Sequence, residues 1–117
     1  MIRGGVYRVD MGPIRGHEQA GKRFGVVVSP TDMSWSVVTV VPTSTSAQPS
    51  VFRPVVMVAG QKTRVLCDQI RTLDVSYVSD DLVNYVTRDQ MAEVDDALTR
   101  YLGLMPDRPD EGVAPVD

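Results

Sequence analysis

Ser36-Val37-Val38-Thr39-Val40-Val41, followed by Pro42, is the stretch on which the fold turns. Four valines and a threonine in six positions favour extended backbone, because β-branched side chains pack well on a pleated surface. Pro42 has no N–H to give to a ladder and is expected to end the strand. Upstream, Phe24 to Ser29 is nearly continuous in apolar character and reads as a central strand. Gly5-Val6-Tyr7-Arg8-Val9-Asp10 alternates apolar and polar residues, the pattern of a half-buried strand. Downstream, residues 53–58 form a further strand, and Ala59-Gly60-Gln61-Lys62 reads as a turn. Residues 63–73 read as one long bent strand or two short ones, and Leu82-Val83-Asn84-Tyr85-Val86 as a last short one. Five or six strands punctuated by turns favour a small barrel or a coiled sheet.

One helix is well specified. Thr87 followed by Gln90 is a capping-box pattern, and Asp89 adds a favourable charge in the first turn. Met91, Val94, Leu98, Tyr101 and Leu102 recur at helical spacing, Gly103 is placed to end the helix, and Pro106 lies beyond. Residues 1–105 are therefore expected to form a single domain, and 106–117 an acidic, disordered tail.

The chain has 117 residues, 43% of them hydrophobic and 23% charged, the balance of an ordinary globular domain. No apolar run reaches the length of a membrane span, and the N-terminus carries no signal-peptide pattern. The single cysteine, Cys67, rules out an intrachain disulfide, so a reducing cytoplasm is the expected home. Cys67 sits in an apolar run and is expected to be a buried structural thiol.

The net charge of −3 conceals an asymmetry. Residues 1–74 carry nine Lys/Arg against five Asp/Glu, whereas residues 75–117 carry three against ten. The acidic total argues against a generic nucleic-acid binder. It leaves room for a basic face on the first two-thirds of the chain, suited to an anionic substrate or an acidic partner segment. With one histidine and one cysteine there is no zinc-ligand cluster, and Asp80-Asp81 and Asp95-Asp96 read as solvated faces. No phosphate-binding loop and no dinucleotide fingerprint is present, so neither metal nor cofactor is expected.

Three clusters carry chemistry. The first is Gly16-His17-Glu18-Gln19-Ala20-Gly21-Lys22-Arg23, set just before the apolar run of the central strand. His17 can titrate near neutral pH and move a proton, and Arg23 can hold a phosphate through two parallel hydrogen bonds. An exposed histidine beside an Arg23–Glu18 surface pair would explain the same composition. The second cluster, Thr43-Ser44-Thr45, offers hydroxyls to phosphate oxygens, or to local turn hydrogen bonds. The third is Cys67-Asp68-Gln69-Ile70-Arg71-Thr72. Strand alternation there would place Asp68 with Ile70 on one face, and Gln69 with Arg71 on the other, unless a bulge intervenes. Amides and carboxylates so arranged could read unstacked bases. Trp35 and Phe24 are stacking platforms or core residues.

Taken in order, these clusters resemble the MazF/PemK/Kid family of toxin endoribonucleases. The resemblance rests on Arg3-Gly4-Gly5-Val6-Tyr7-Arg8-Val9-Asp10, Gly16 to Phe24, Val40-Val41-Pro42-Thr43-Ser44-Thr45, and Cys67-Asp68-Gln69-Ile70-Arg71-Thr72-Leu73-Asp74. It spans residues 3–103. It implies an SH3-like β-barrel or coiled antiparallel sheet with one C-terminal helix, a homodimer, and an antitoxin partner. The implied activity is metal-independent cleavage of single-stranded RNA by 2′-hydroxyl attack, leaving 2′,3′-cyclic phosphate and 5′-hydroxyl ends.

By the same resemblance Arg23 is the central catalytic residue and Ser44 its partner, with Thr43 or Thr45 as alternatives for that role. His17 and Asp68 map to acid–base residues of the plasmid-borne branch. That branch has an arginine two residues before the acid where this chain has Leu66, and Phe24 stands where the family usually has proline. Glu18, Gln19, Thr43, Asp68, Gln69 and Arg71 are expected to contact substrate or support the loop. The competing expectations are a non-enzymatic toxin of the gyrase-inhibiting kind, or a nuclease-dead binding protein, on the same scaffold.

Overall fold

The structure, a computed structural model, describes residues 1–13, 16, 21–31 and 36–104. Among them run seven strands: β1 (Gly5–Asp10), β2 (Lys22–Val27), β3 (Val37–Ser44), β4 (Val55–Val58), β5 (Gln61–Val65), β6 (Arg71–Asp74) and β7 (Asn84–Tyr85). A single α-helix, α1 (Arg88–Tyr101), follows them. Their order in the sheet is β4-β5-β3-β2-β1-β7, and β6 also pairs with β3. Every pairing is antiparallel. The two end strands are tied across the gap by Asn84, whose Nδ2 donates to the Met57 carbonyl at 2.9 Å. The result is a nearly closed, barrel-like sheet with one C-terminal helix, as the resemblance implied.

Consecutive residues of the central strands enter opposite cores. Val6, Val26 and Val41 join the cluster that receives Val94, Ala97 and Leu98 of α1. Their neighbours Tyr7, Val27 and Val40 join a second cluster with Val9, Met11, Val38, Leu73 and Val78. Burial on both faces is why these runs are continuously apolar instead of alternating. Each fully buried valine contributes on the order of 1.5–3 kcal/mol relative to exposure.

The helix forms as its sequence dictates. Thr87 Oγ1 accepts from Gln90 N at 3.2 Å, and Gln90 Oε1 accepts from Thr87 N at 3.1 Å. Gly103, at φ +69°, closes the other end, with Leu104 N donating to the Thr99 carbonyl at 2.8 Å. The apolar face is shorter than the periodicity predicts. Val94 and Leu98 are buried, but Tyr101 and Leu102 are exposed, and Tyr101 packs edge-on against Phe52 with ring centroids 5.4 Å apart.

Three expectations are corrected. β3 does not stop at Pro42 but continues to Ser44. In extended chain the N–H and C=O of one residue point the same way, and the Pro42 carbonyl accepts from Leu66 N. The missing N–H therefore falls where the outer neighbour of β3 changes from β6, paired through Val40, to β5, paired from Thr43. The turn at 59–62 is only Ala59-Gly60, at φ +49° and +78°, and Gln61 and Lys62 already pair with Val58 and Met57. Residues 63–73 take the second of their two expected forms, two short strands, around a 3-10 turn at Cys67–Gln69. That turn breaks the strand alternation expected for Asp68 to Arg71. Cys67 is a free, fully buried thiol as expected, its Sγ 3.9 Å from the Val94 carbonyl. Trp35 and the tail at 106–117 lie outside the described residues.

Candidate functional site

The segment between β1 and β2 is closed at its neck by two glycines. Gly12 and Gly21 adopt φ of +77° and +74°, a region that L side chains avoid. This lets Met11 N donate to the Gly21 carbonyl at 2.9 Å and Gly21 N to the Gly12 carbonyl at 2.7 Å. Asp10 Oδ1 accepts from Gly12 N at 2.9 Å. Lys22 and Arg23 thus leave the neck directly into β2, opposite Asp10 and Val9.

Beside them opens a pocket of about 420 Å³. One wall is Arg8 of β1 with Lys22, Arg23 and Phe24 of β2. A second is Thr43 and Ser44 at the end of β3 with Thr45, and the β4–β5 hairpin supplies a third through Ala59, Gln61 and Thr63. Among the described residues that line it, three side chains are cations and none is acidic, which suits an anion.

The hydroxyls are not equivalent. Thr43 Oγ1 donates to the Phe24 carbonyl at 3.0 Å, so its proton is spent joining β3 to β2. Thr63 Oγ1 likewise donates to the Gln61 carbonyl at 3.0 Å. Ser44 Oγ accepts from Ser46 N at 3.2 Å and meets Ser46 Oγ only at 3.5 Å. A hydroxyl that accepts from backbone keeps its own proton for a further acceptor, such as a phosphate oxygen.

The pocket brings together Arg23, Thr43 and Ser44. It does not include Asp68, Gln69 or Arg71. Asp68 is held by Arg53, Nε to Oδ1 at 3.1 Å and Nη2 to Oδ2 at 2.9 Å. That hydrogen-bonded ion pair holds the Asp68 carboxyl below the usual carboxylate range. Gln69 closes the 3-10 turn, its N–H donating to the Leu66 carbonyl at 2.9 Å. Arg71 Nη1 donates to the Met11 carbonyl at 2.7 Å, at the neck itself. His17, Glu18 and Gln19 lie outside the described residues.

Arg8, Gln61 and Arg53 are the residues that sequence reasoning passed over. Arg8 stood on the polar face of an alternating strand, but only the β1–β2 register places it opposite Phe24. Gln61 reads as part of a turn in the sequence, and Arg53 is separated from Asp68 by two strands. Among the described residues no group of three His, Cys, Asp or Glu could hold a metal ion, and no helix is long and apolar enough to cross a membrane.

Residues 2–102 match the model of the PemK-like, MazF-like toxins of type II toxin–antitoxin systems. The chain is 65% identical over 105 residues to the candidate toxin Rv3098A of Mycobacterium tuberculosis, covering 89% of this chain and 99% of that one. Among solved structures it is similar to MazF from Deinococcus radiodurans, at TM-score 0.77 and 26% identity, over 88% of this chain and 96% of that one. It is also similar to an endoribonuclease of a mycobacterial species solved in complex with its cognate antitoxin, at TM-score 0.73 and 26% identity. That match covers 92% of this chain and 99% of the other.

Proposed function

The chain belongs to the PemK-like, MazF-like family of type II toxin–antitoxin toxins, and from that premise we propose that it is a metal-independent endoribonuclease of single-stranded RNA. In this reading the 2′-hydroxyl gives up its proton as its oxygen attacks the adjacent phosphorus, and the bond to the 5′-oxygen breaks as that oxygen takes up a proton, so none is gained or lost overall. The products end in 2′,3′-cyclic phosphate and 5′-hydroxyl. Arg23 stabilises the charge that builds on the five-coordinate phosphorus, where a fixed cation is worth most. Ser44 donates to a non-bridging phosphate oxygen, and His17 transfers a proton. Thr43 supports the Phe24 backbone beside Arg23. Glu18 and Gln19 hold the substrate or the loop that meets it, and Asp68, Gln69 and Arg71 give support from outside the pocket.

One observation carries the reading: Arg23 and the Ser44 hydroxyl line the same pocket, whose described lining holds three cations and no carboxylate. A non-enzymatic toxin would not require a hydroxyl with a spare proton beside an arginine. The proposal includes a homodimer, a cytoplasmic site of action and a cognate antitoxin. A partner of that kind is seen with the mycobacterial endoribonuclease to which this chain is similar. An acidic antitoxin segment would complement the excess of Lys/Arg over residues 1–74.

The test is incubation of the purified protein with total RNA, with and without EDTA, followed by mapping of the ends. Cleavage that leaves 5′-hydroxyl ends, persists in EDTA and vanishes in folded Arg23→Ala is expected. Ends bearing 5′-phosphate, loss in EDTA, or an Arg23→Ala protein as active as the parent would defeat the proposal.

A further inference from the structure

Arg8 lines the cationic pocket yet has no part in the reaction as written above. The β1–β2 register sets it directly opposite Phe24. Its guanidinium carbon lies 5.4 Å from the centre of the Phe24 ring, within cation–π reach. Phe24 is a fixed platform: its carbonyl accepts from Thr43 Oγ1 at 3.0 Å, and its side chain packs partly buried against the core cluster beneath α1. A guanidinium over a ring spends its face on the contact and keeps its in-plane N–H donors. Among the described residues no carboxylate or carbonyl takes those donors from Arg8.

We propose that Arg8, held over the Phe24 ring, binds a second phosphate of the RNA strand, adjacent to the one that is cut. This rests on the endoribonuclease reading and deepens it. The chemistry favours phosphate because an arginine fork matches two oxygens of one phosphate, and among the described residues no acid lines the pocket. The ring contact orders Arg8 before the strand arrives, so less side-chain freedom is lost on binding. Phe24 is a positioning residue that acts through Arg8. Its presence where the family usually has proline gives this chain a platform that proline could not supply. Arg8 therefore governs how tightly the strand is held, and Arg23 how fast it is cut.

The test uses a labelled mixed-sequence single strand with 2′-fluoro riboses throughout, which no 2′-hydroxyl attack can cut. Its affinity is measured by fluorescence anisotropy across a salt series. Arg8→Ala is expected to weaken binding about tenfold and to reduce the salt slope by about 0.7, the loss of one phosphate contact on a single strand. Arg8→Lys keeps the charge and should restore the slope without restoring the full affinity. Phe24→Leu should weaken binding about threefold, and add nothing in an Arg8→Ala background. On cleavable RNA, Arg8→Ala should raise KM and leave kcat close to the parent value.

An unchanged salt slope in folded Arg8→Ala overturns the proposal, as do additive losses in the double variant. If the parent protein binds the strand but cuts no RNA, the endoribonuclease reading fails while the slope still decides for or against Arg8. If it does not bind the strand at all, both fall.

Discussion

Arg53 grips Asp68 with two donors on two oxygens, at 3.1 and 2.9 Å, although two strands separate them in the chain. Their side chains are only 20% and 25% exposed, so the pair joins the loop before β4 to the 3-10 turn before β6 with limited solvent screening. Arg53 also donates to the Gln48 carbonyl at 3.3 Å. The depressed carboxyl of Asp68 owes most to the Arg53 hydrogen bond. A folded-state pKa below the unfolded value stabilises fully above the ordinary carboxylate pKa of about 3.9, and that stability is lost as pH falls through the lower folded value. Asp68→Asn is expected to cost about 1–2 kcal/mol at neutral pH. Denaturant unfolding at several pH values should show the gap to the parent closing below about pH 4.

Arg71, expected to contact substrate or support the loop, donates from Nη1 to the Met11 carbonyl at 2.7 Å. Met11 N in turn donates to Gly21, one residue before the Lys22-Arg23 pair. Arg71 thus braces the neck from which Arg23 enters the pocket. Arg71→Met keeps much of the stem and removes the bond. It should lower kcat on RNA on the order of tenfold through misplacement of Arg23, while melting temperature shifts by only a few degrees. A variant with parental kcat would assign Arg71 to the fold alone.

The helix was legible in the sequence down to its caps because a capping box and a terminal glycine act within four residues. The central strands were legible for a related reason: burial on both faces needs continuous valine. What was hidden depended on partners distant in sequence. Whether Pro42 ends a strand depends on which neighbour its missing N–H would have faced, and that neighbour changes at Pro42 itself. The 3-10 turn at Cys67–Gln69 is set by how β5 must turn into β6, with Leu66 N donating to Pro42, and no local pattern announces it. At the site, Arg23 and Ser44 were named from ordered motifs. The Arg8–Phe24 contact and the Arg53–Asp68 pair appear only once strands are in register.

Cys67 should behave as an inert thiol. It is fully buried, and burial first, then the nearby charges of Asp68 and Asp95, push its pKa up to about 12. Alkylation by iodoacetamide at pH 8 should therefore follow the rate of unfolding, and a fast reaction in the native state would contradict the packing. The linkage has the opposite sense to that of Asp68. A raised folded pKa gives stability that is full below the unfolded thiol value of about 8.5 and is lost as pH rises toward the folded one. Cys67→Ala should lose that alkaline slope, at a cost of about 1 kcal/mol for the removed sulfur.

The three hydroxyls at the end of β3 can be separated by what each already does. Thr43 is buried and donates to the Phe24 carbonyl, so Thr43→Val leaves that carbonyl short of a donor and should cost about 1–2 kcal/mol of stability. Ser44 is equally buried but accepts from Ser46 N and retains its proton, so Ser44→Ala should act on the reaction instead. Loss of one preorganised donor to a developing phosphorane charge predicts a fall in kcat on the order of 100-fold, with RNA binding little changed. Single-turnover cleavage beside anisotropy on the uncleavable strand distinguishes the two. If Thr45→Val causes the larger fall in kcat, the phosphate donor is Thr45 and the turn bond at Ser44 is structural.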